Sequence, residues 1–102
     1  MQKIIIPTYI EYNACQLTID NLDNFKKFIS KDAYDIRITY KEMKNKNIPV
    51  EISFKWNPHG DDYPPTVCMQ LNQYFLYEED EPDSYWVLNS EDIKREWYIH
   101  EN

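Results

Sequence analysis

Asp35-Ile36-Arg37-Ile38-Thr39-Tyr40-Lys41-Glu42-Met43 sets Ile36, Ile38 and Tyr40 against Arg37, Thr39 and Lys41, the two-residue period of a strand with one buried face. Val50-Glu51-Ile52-Ser53-Phe54-Lys55-Trp56 repeats the alternation, and Lys44-Asn45-Lys46-Asn47 between the two supplies a turn. Two alternating runs joined this way predict an antiparallel hairpin. Upstream, residues 3–18 are rich in Ile, Tyr and Thr and read as an edge strand, bent or split at Pro7. Between them, Leu22, Phe25, Phe28 and Ile29 line one face of a helix over about residues 20–31, with Asp20 as N-cap and Asp23 in the first turn.

Downstream of the hairpin, residues 57–65 hold three of the six prolines, the single glycine and Asp61-Asp62, which makes a loop. Thr66 to Tyr77 reads as one strand region in which Val67, Met69 and Leu71 share a face and the Asn72-Gln73 step shifts the phase as a bulge or bend would. An acidic loop, Glu78 to Ser84, leads to the strand Tyr85-Trp86-Val87-Leu88. Asn89 or Ser90 then caps a short helix opening with Glu91-Asp92, in which Ile93 and Trp97 share a face. The expected fold is α+β: a single domain over residues 1–102 with a mostly antiparallel sheet of about five strands, one helix from the N-terminal half packed on a face, and a short C-terminal helix.

Several function classes fall away on composition. One glycine in 102 residues argues against a glycine-rich phosphate loop, which depends on close backbone approach and positive φ. Two cysteines, Cys15 and Cys68, are too few for a disulfide scaffold and are expected as free thiols. Ile4-Ile5-Ile6 is too short for a signal peptide or a membrane span. A cytosolic protein is expected. The net charge of −7 disfavours direct contact with nucleic acid or an anionic membrane.

That charge is lopsided. Residues 52–102 carry eleven acids against three bases, whereas residues 1–51 carry seven acids against eight bases. Ten of the sixteen aromatic residues share the acidic half, so acids and rings interleave through Tyr77-Glu78-Glu79-Asp80-Glu81-Pro82-Asp83-Ser84-Tyr85-Trp86. The bland reading of such a run is a solvated turn that keeps the chain soluble and blunts edge pairing. The sharper reading is an interface for a basic protein, since exposed rings beside acids are interface composition and crowded carboxylates are relieved by a cationic partner. The candidate partner-binding residues are Tyr77, Glu78, Glu79, Asp80, Glu81, Asp83, Tyr85, Trp86, Glu91 and Asp92, the last two expected at the same end of the sheet.

Ile10 to Thr18 ahead of a helix, Leu71 to Tyr77 with an acidic turn and Tyr85 to Leu88, and Ser90 to Ile93 with Tyr98 follow in an order that resembles a small domain family of unknown function encoded by tailed phages and prophages. Ile10-Glu11-Tyr12-Asn13-Ala14-Cys15-Gln16-Leu17-Thr18 stands where that family has I-P-I-x-A-x-Q-x-T ahead of a helix. Leu71 to Tyr77, the acidic turn and Tyr85 to Leu88 stand for its P-G-D-Y-I-I-type hairpin, and Ser90-Glu91-Asp92-Ile93 with Tyr98 for its closing helix. Leu71-Asn72 replaces the family's Pro-Gly, and the Glu78 to Ser84 loop is longer than its Asp-Gly turn. The resemblance implies a phage origin and carries no catalytic residues.

Catalytic and metal readings both fall on a few residues. Cys15, Cys68, His59 and His100 lack the short spacings of a structural zinc site. A Cys/His nucleophile with Asp61 or Asp62 orienting His59 competes with ordinary turn chemistry in a Pro/Gly/Asp loop. No enzyme, metal or cofactor is expected. The expected function is that of a phage or mobile-element binding protein, monomeric or weakly dimeric. It would inhibit a host nucleic-acid-binding defence factor by DNA mimicry, in the manner of an acidic anti-CRISPR. The alternatives are an immunity protein for a basic toxin nuclease and a structural or accessory phage domain.

Overall fold

A computed structural model describes residues 2–5, 11–96 and 98–101. Its elements, in chain order, are β1 (Gln2–Ile5), β2 (Glu11–Gln16), α1 (Leu22–Ile29), β3 (Ala33–Met43), β4 (Lys46–Trp56), β5 (Thr66–Gln70), β6 (Tyr74–Glu78), β7 (Tyr85–Leu88), α2 (Ser90–Glu96) and β8 (Tyr98–Glu101). The mixed, antiparallel character expected from the sequence holds, but the strands form two sheets instead of one. Five are ordered β7-β6-β2-β1-β8 and three are ordered β3-β4-β5.

The inner faces of the two sheets share a core. From β4 come Ile52, Phe54 and Trp56; from β5, Val67 and Met69; from β6, Phe75; and from α1, Phe25 and Ile29, all buried together with Leu17. Rings dominate the contact between sheets, with Phe54 and Phe75 centroids 5.3 Å apart and Trp56 and Phe75 4.8 Å apart, both edge-on. Edge-to-face pairs of this kind add about 0.5–1.5 kcal/mol each beyond the area they bury. The helix thus packs into the common core, not onto the free face of a single sheet.

On its outer face the five-stranded sheet is covered over β2 and β6. Tyr12 and Ala14 of β2 and Tyr74 and Leu76 of β6 cluster with Ile93 of α2, and Leu88 packs against them. The strand pairings are all antiparallel, so β7 and β8, at the two edges, run in the same direction. The α2 segment carries the chain from one edge to the other.

Four local expectations are corrected. The N-terminal segment splits into β1 and β2, which pair with each other at interior positions of the sheet instead of forming an edge strand; Pro7 itself lies outside the described residues. The residue before α1 is Asn21, not Asp20. The Asn21 side chain accepts from Thr18 N (2.8 Å) and donates to Gln16 O, and a carboxylate cannot make that second bond. The phase shift at Asn72-Gln73 is a crossing between sheets: Leu71 N donates to Val50 O in one, Asn72 N to Leu17 O and Leu17 N to Gln73 O in the other. Asn72 has φ 74, the left-handed conformation that Asn tolerates better than most residues. Finally, the terminal helix stops at Glu96 and the chain continues into β8; Trp97 lies outside the described residues.

Candidate functional site

Trp56 ends β4 at one tip of the core and is 1% exposed, so its indole N–H needs a partner in the protein. It donates to the Pro82 carbonyl at 2.6 Å. That bond pins the acidic loop between β6 and β7, which is closed internally by Glu78 N to Ser84 O (3.0 Å) and Ser84 N to Glu81 O (2.8 Å). The loop after β4 folds against the same tip. Asn57 clamps it, accepting from Asp61 N at 2.7 Å and donating to Asp61 O at 3.1 Å, with Gly60 at φ 70 between them. His59 Nε2 then lies 3.3 Å from Asp83 Oδ1 and joins the two loops.

The result is one acidic end. Asp61, Asp62, Glu79, Asp80, Glu81 and Asp83 are exposed there and Glu78 is half-buried. Asp32 is half-buried in the turn before β3, where its backbone carbonyl accepts from Asn57 N at 2.8 Å. Lys31, beside Asp32, brings an opposing charge. Sequence reasoning left Asp61 and Asp62 outside the candidate set and missed Tyr63, which is 96% exposed in the same loop. The triplet Asp61-Asp62-Tyr63 carries the same acid-and-ring signal as the longer run, and only the fold brings the two together.

The rings nominated from sequence flank the acidic loop in β6 and β7 but turn onto the faces of the sheet. Tyr77 faces the inter-sheet core, 5.2 Å from Trp56 and 5.4 Å from Phe28 by ring centroid. Burial raises its hydroxyl above the usual tyrosine range, against a lowering hydrogen bond with Asn13, its cross-strand partner; Asp32 and Glu79 nearby add to the rise. Tyr85 is half-buried against Phe75. Trp86 is 51% exposed and, one residue on from Tyr85 in a strand, points to the opposite face of its sheet. Glu91 and Asp92 are also separated from the loop. Tyr85 pairs with Tyr77 at the acidic end, but Leu88, just before α2, pairs with Tyr74 at the other end of β6. The strand carries the start of α2 away, so the expected convergence of Glu91 and Asp92 with the loop does not occur.

Compared with protein-family models, curated proteins and solved structures, the chain matches none of them.

The residues considered for catalysis are also dispersed. Cys15 is half-buried on the inner side of β2, and burial pushes its thiol up to about 11, which leaves little thiolate at neutral pH. Cys68 is exposed on the outer face of β5, and both cysteines are free. His59 is engaged with Asp83. Among the described residues, no three His, Cys, Asp or Glu side chains gather as a metal-holding group. No described helix is long and apolar enough to cross a membrane.

Proposed function

We propose that this is a small binding protein, not an enzyme, whose acidic end engages a cationic surface on a protein partner. The observation that carries this reading is the coupling of two loops distant in sequence, through Trp56 to Pro82 and His59 to Asp83. Carboxylates held on a fixed frame lose less conformational entropy on binding than the same residues on free loops. Arg and Lys form charge-assisted bonds with carboxylate as with phosphate, so a groove built for nucleic acid is the partner surface with matching chemistry. The specific form of the proposal is a cytosolic, phage-type inhibitor that occupies such a groove on a host defence factor, with Asp61, Asp62, Glu79, Asp80, Glu81 and Asp83 standing for phosphates and Tyr63 for a stacking base.

The test is capture from host lysate on the immobilised protein, with duplex DNA as competitor. Wild type should retain a basic nucleic-acid-binding protein that DNA releases, and a variant with Asp62→Asn, Glu79→Gln, Glu81→Gln and Asp83→Asn should lose it. Retention by that variant, or indifference to DNA, would overturn the reading.

A further inference from the structure

The opposite end of β4 carries the complementary charge. Strand β5 pairs with β4 only from Glu51 to Lys55, whereas β3 and β4 remain paired out to Met43 and Lys46. Beyond Thr39 and Val50, whose carbonyl still accepts from Leu71 N, the hairpin is therefore a two-stranded ribbon extending past the third strand. Its turn residues Lys44 and Asn45 have φ 51 and 63, the left-handed pair that suits a tight hairpin. Lys41, Lys44 and Lys46 are exposed on it against the single acid Glu42. Tyr40 and Met43 are 52% and 48% exposed on the same ribbon. Such ribbons are marginal in water by themselves, so a ribbon bearing cations and exposed apolar groups gains from an acidic, ring-bearing surface to lie against.

The same chain offers that surface but cannot bring it to its own ribbon. Lys46 and Trp56 bound one continuous strand, and ten residue steps of about 3.3 Å put the tip and the acidic end roughly 33 Å apart. That separation is several times the screening length of about 8–10 Å at physiological salt. The two ends can meet only between molecules. We infer that the β3–β4 ribbon docks on the acidic end of a second copy of this chain, giving head-to-tail assembly.

Two alternatives fit less well. Side-by-side pairing of β3 edges about Thr39 would set Arg37 against Lys41, like charge facing like, and Asp35 at φ 55 beside a register shift breaks the edge. A nucleic acid on the ribbon would meet three lysines on a chain of net charge −7. The ribbon-to-end contact uses different surfaces on the two copies, so it propagates as a ring or an open chain. It does not rest on the proposed function, although a basic partner would compete for the same acidic end.

Sedimentation velocity on the purified protein tests this with two neutralised variants. One carries Lys41→Gln, Lys44→Gln and Lys46→Gln; the other carries Glu79→Gln, Glu81→Gln and Asp83→Asn. In about 20 mM salt the wild type should form species at least twice the 12.5 kDa monomer, reverting to monomer by about 300 mM salt. Each variant alone should remain monomeric, and an equimolar mixture should stop at a one-to-one pair, because only one competent contact is left. A wild type that is monomeric at low salt, association that survives loss of the lysines, or a mixture that fails to pair would each overturn the inference. The lysine variant should still capture a basic partner from lysate, which separates failure of this inference from failure of the proposed function.

Discussion

At the scale of single residues, Cys15 makes stability depend on alkaline pH. Burial holds its folded-state value at about 11 against 9.0 for the free thiol. Because the folded value is the higher one, the unfolded chain loses this proton first. The contribution is therefore intact below pH 9 and is lost as pH rises towards 11. Urea unfolding should show stability declining across that window, and Cys15→Ala should flatten the decline. A thiol reagent at pH 8 should label exposed Cys68 well before Cys15. Equal labelling rates in the folded protein would contradict the burial argument. The same burial is invisible in the residue's immediate neighbours, since Ala14-Cys15-Gln16 has no clear alternation and both faces of β2 turn out to be covered.

Among the elements, the hairpin was the most legible, because one face of β3, β4 and β5 meets solvent and the alternation survives in the sequence. Strand β6 was less so: Tyr74, Phe75 and Leu76 are all buried, Phe75 towards the other sheet and its two neighbours towards α2. A strand covered on both sides reads as an unbroken apolar run, which is why Thr66 to Tyr77 looked like one strand with a bend. The acidic loop was legible as an element, but its anchor was not. Trp56 reads as a core ring in β4, and nothing nearby in sequence says that its N–H holds Pro82 at 2.6 Å. Trp56→Phe removes that donor and some ring volume while keeping an apolar aromatic in place. The substitution should cost about 1–3 kcal/mol and speed amide exchange at Glu78 and Ser84, the residues that close the loop. Unchanged exchange there would mean that the loop is held by its own bonds alone.

For the molecule as a whole, topology escaped the sequence because pairing is non-local. The five-stranded sheet is built from the two ends of the chain, with β2 against β6 and β1 against β8, while the three-stranded sheet takes the continuous middle. Alternation identifies a strand without naming its partner, so one sheet of five was the economical expectation. The same non-locality explains the candidate site, since Asp61 and Asp62 join the acidic loop through contacts between sheets, while Glu91 and Asp92 leave it along β7. Two sheets raise the question of whether they unfold as one. Phe75 decides it structurally: it belongs to the five-stranded sheet, yet its ring meets Phe54 and Trp56 of the other sheet as well as Tyr77 and Tyr85 of its own. A residue shared in this way couples the two halves, so unfolding should be a single transition. In a background with Trp86→Phe and Trp97→Phe, fluorescence of Trp56 at the sheet contact and far-ultraviolet circular dichroism should therefore report the same midpoint. Phe75→Ala should cost about 3–5 kcal/mol and move both midpoints together. If the fluorescence transition shifted while the backbone signal kept a separate, later transition, the two sheets would be independent folding units and the shared ring only a surface between them.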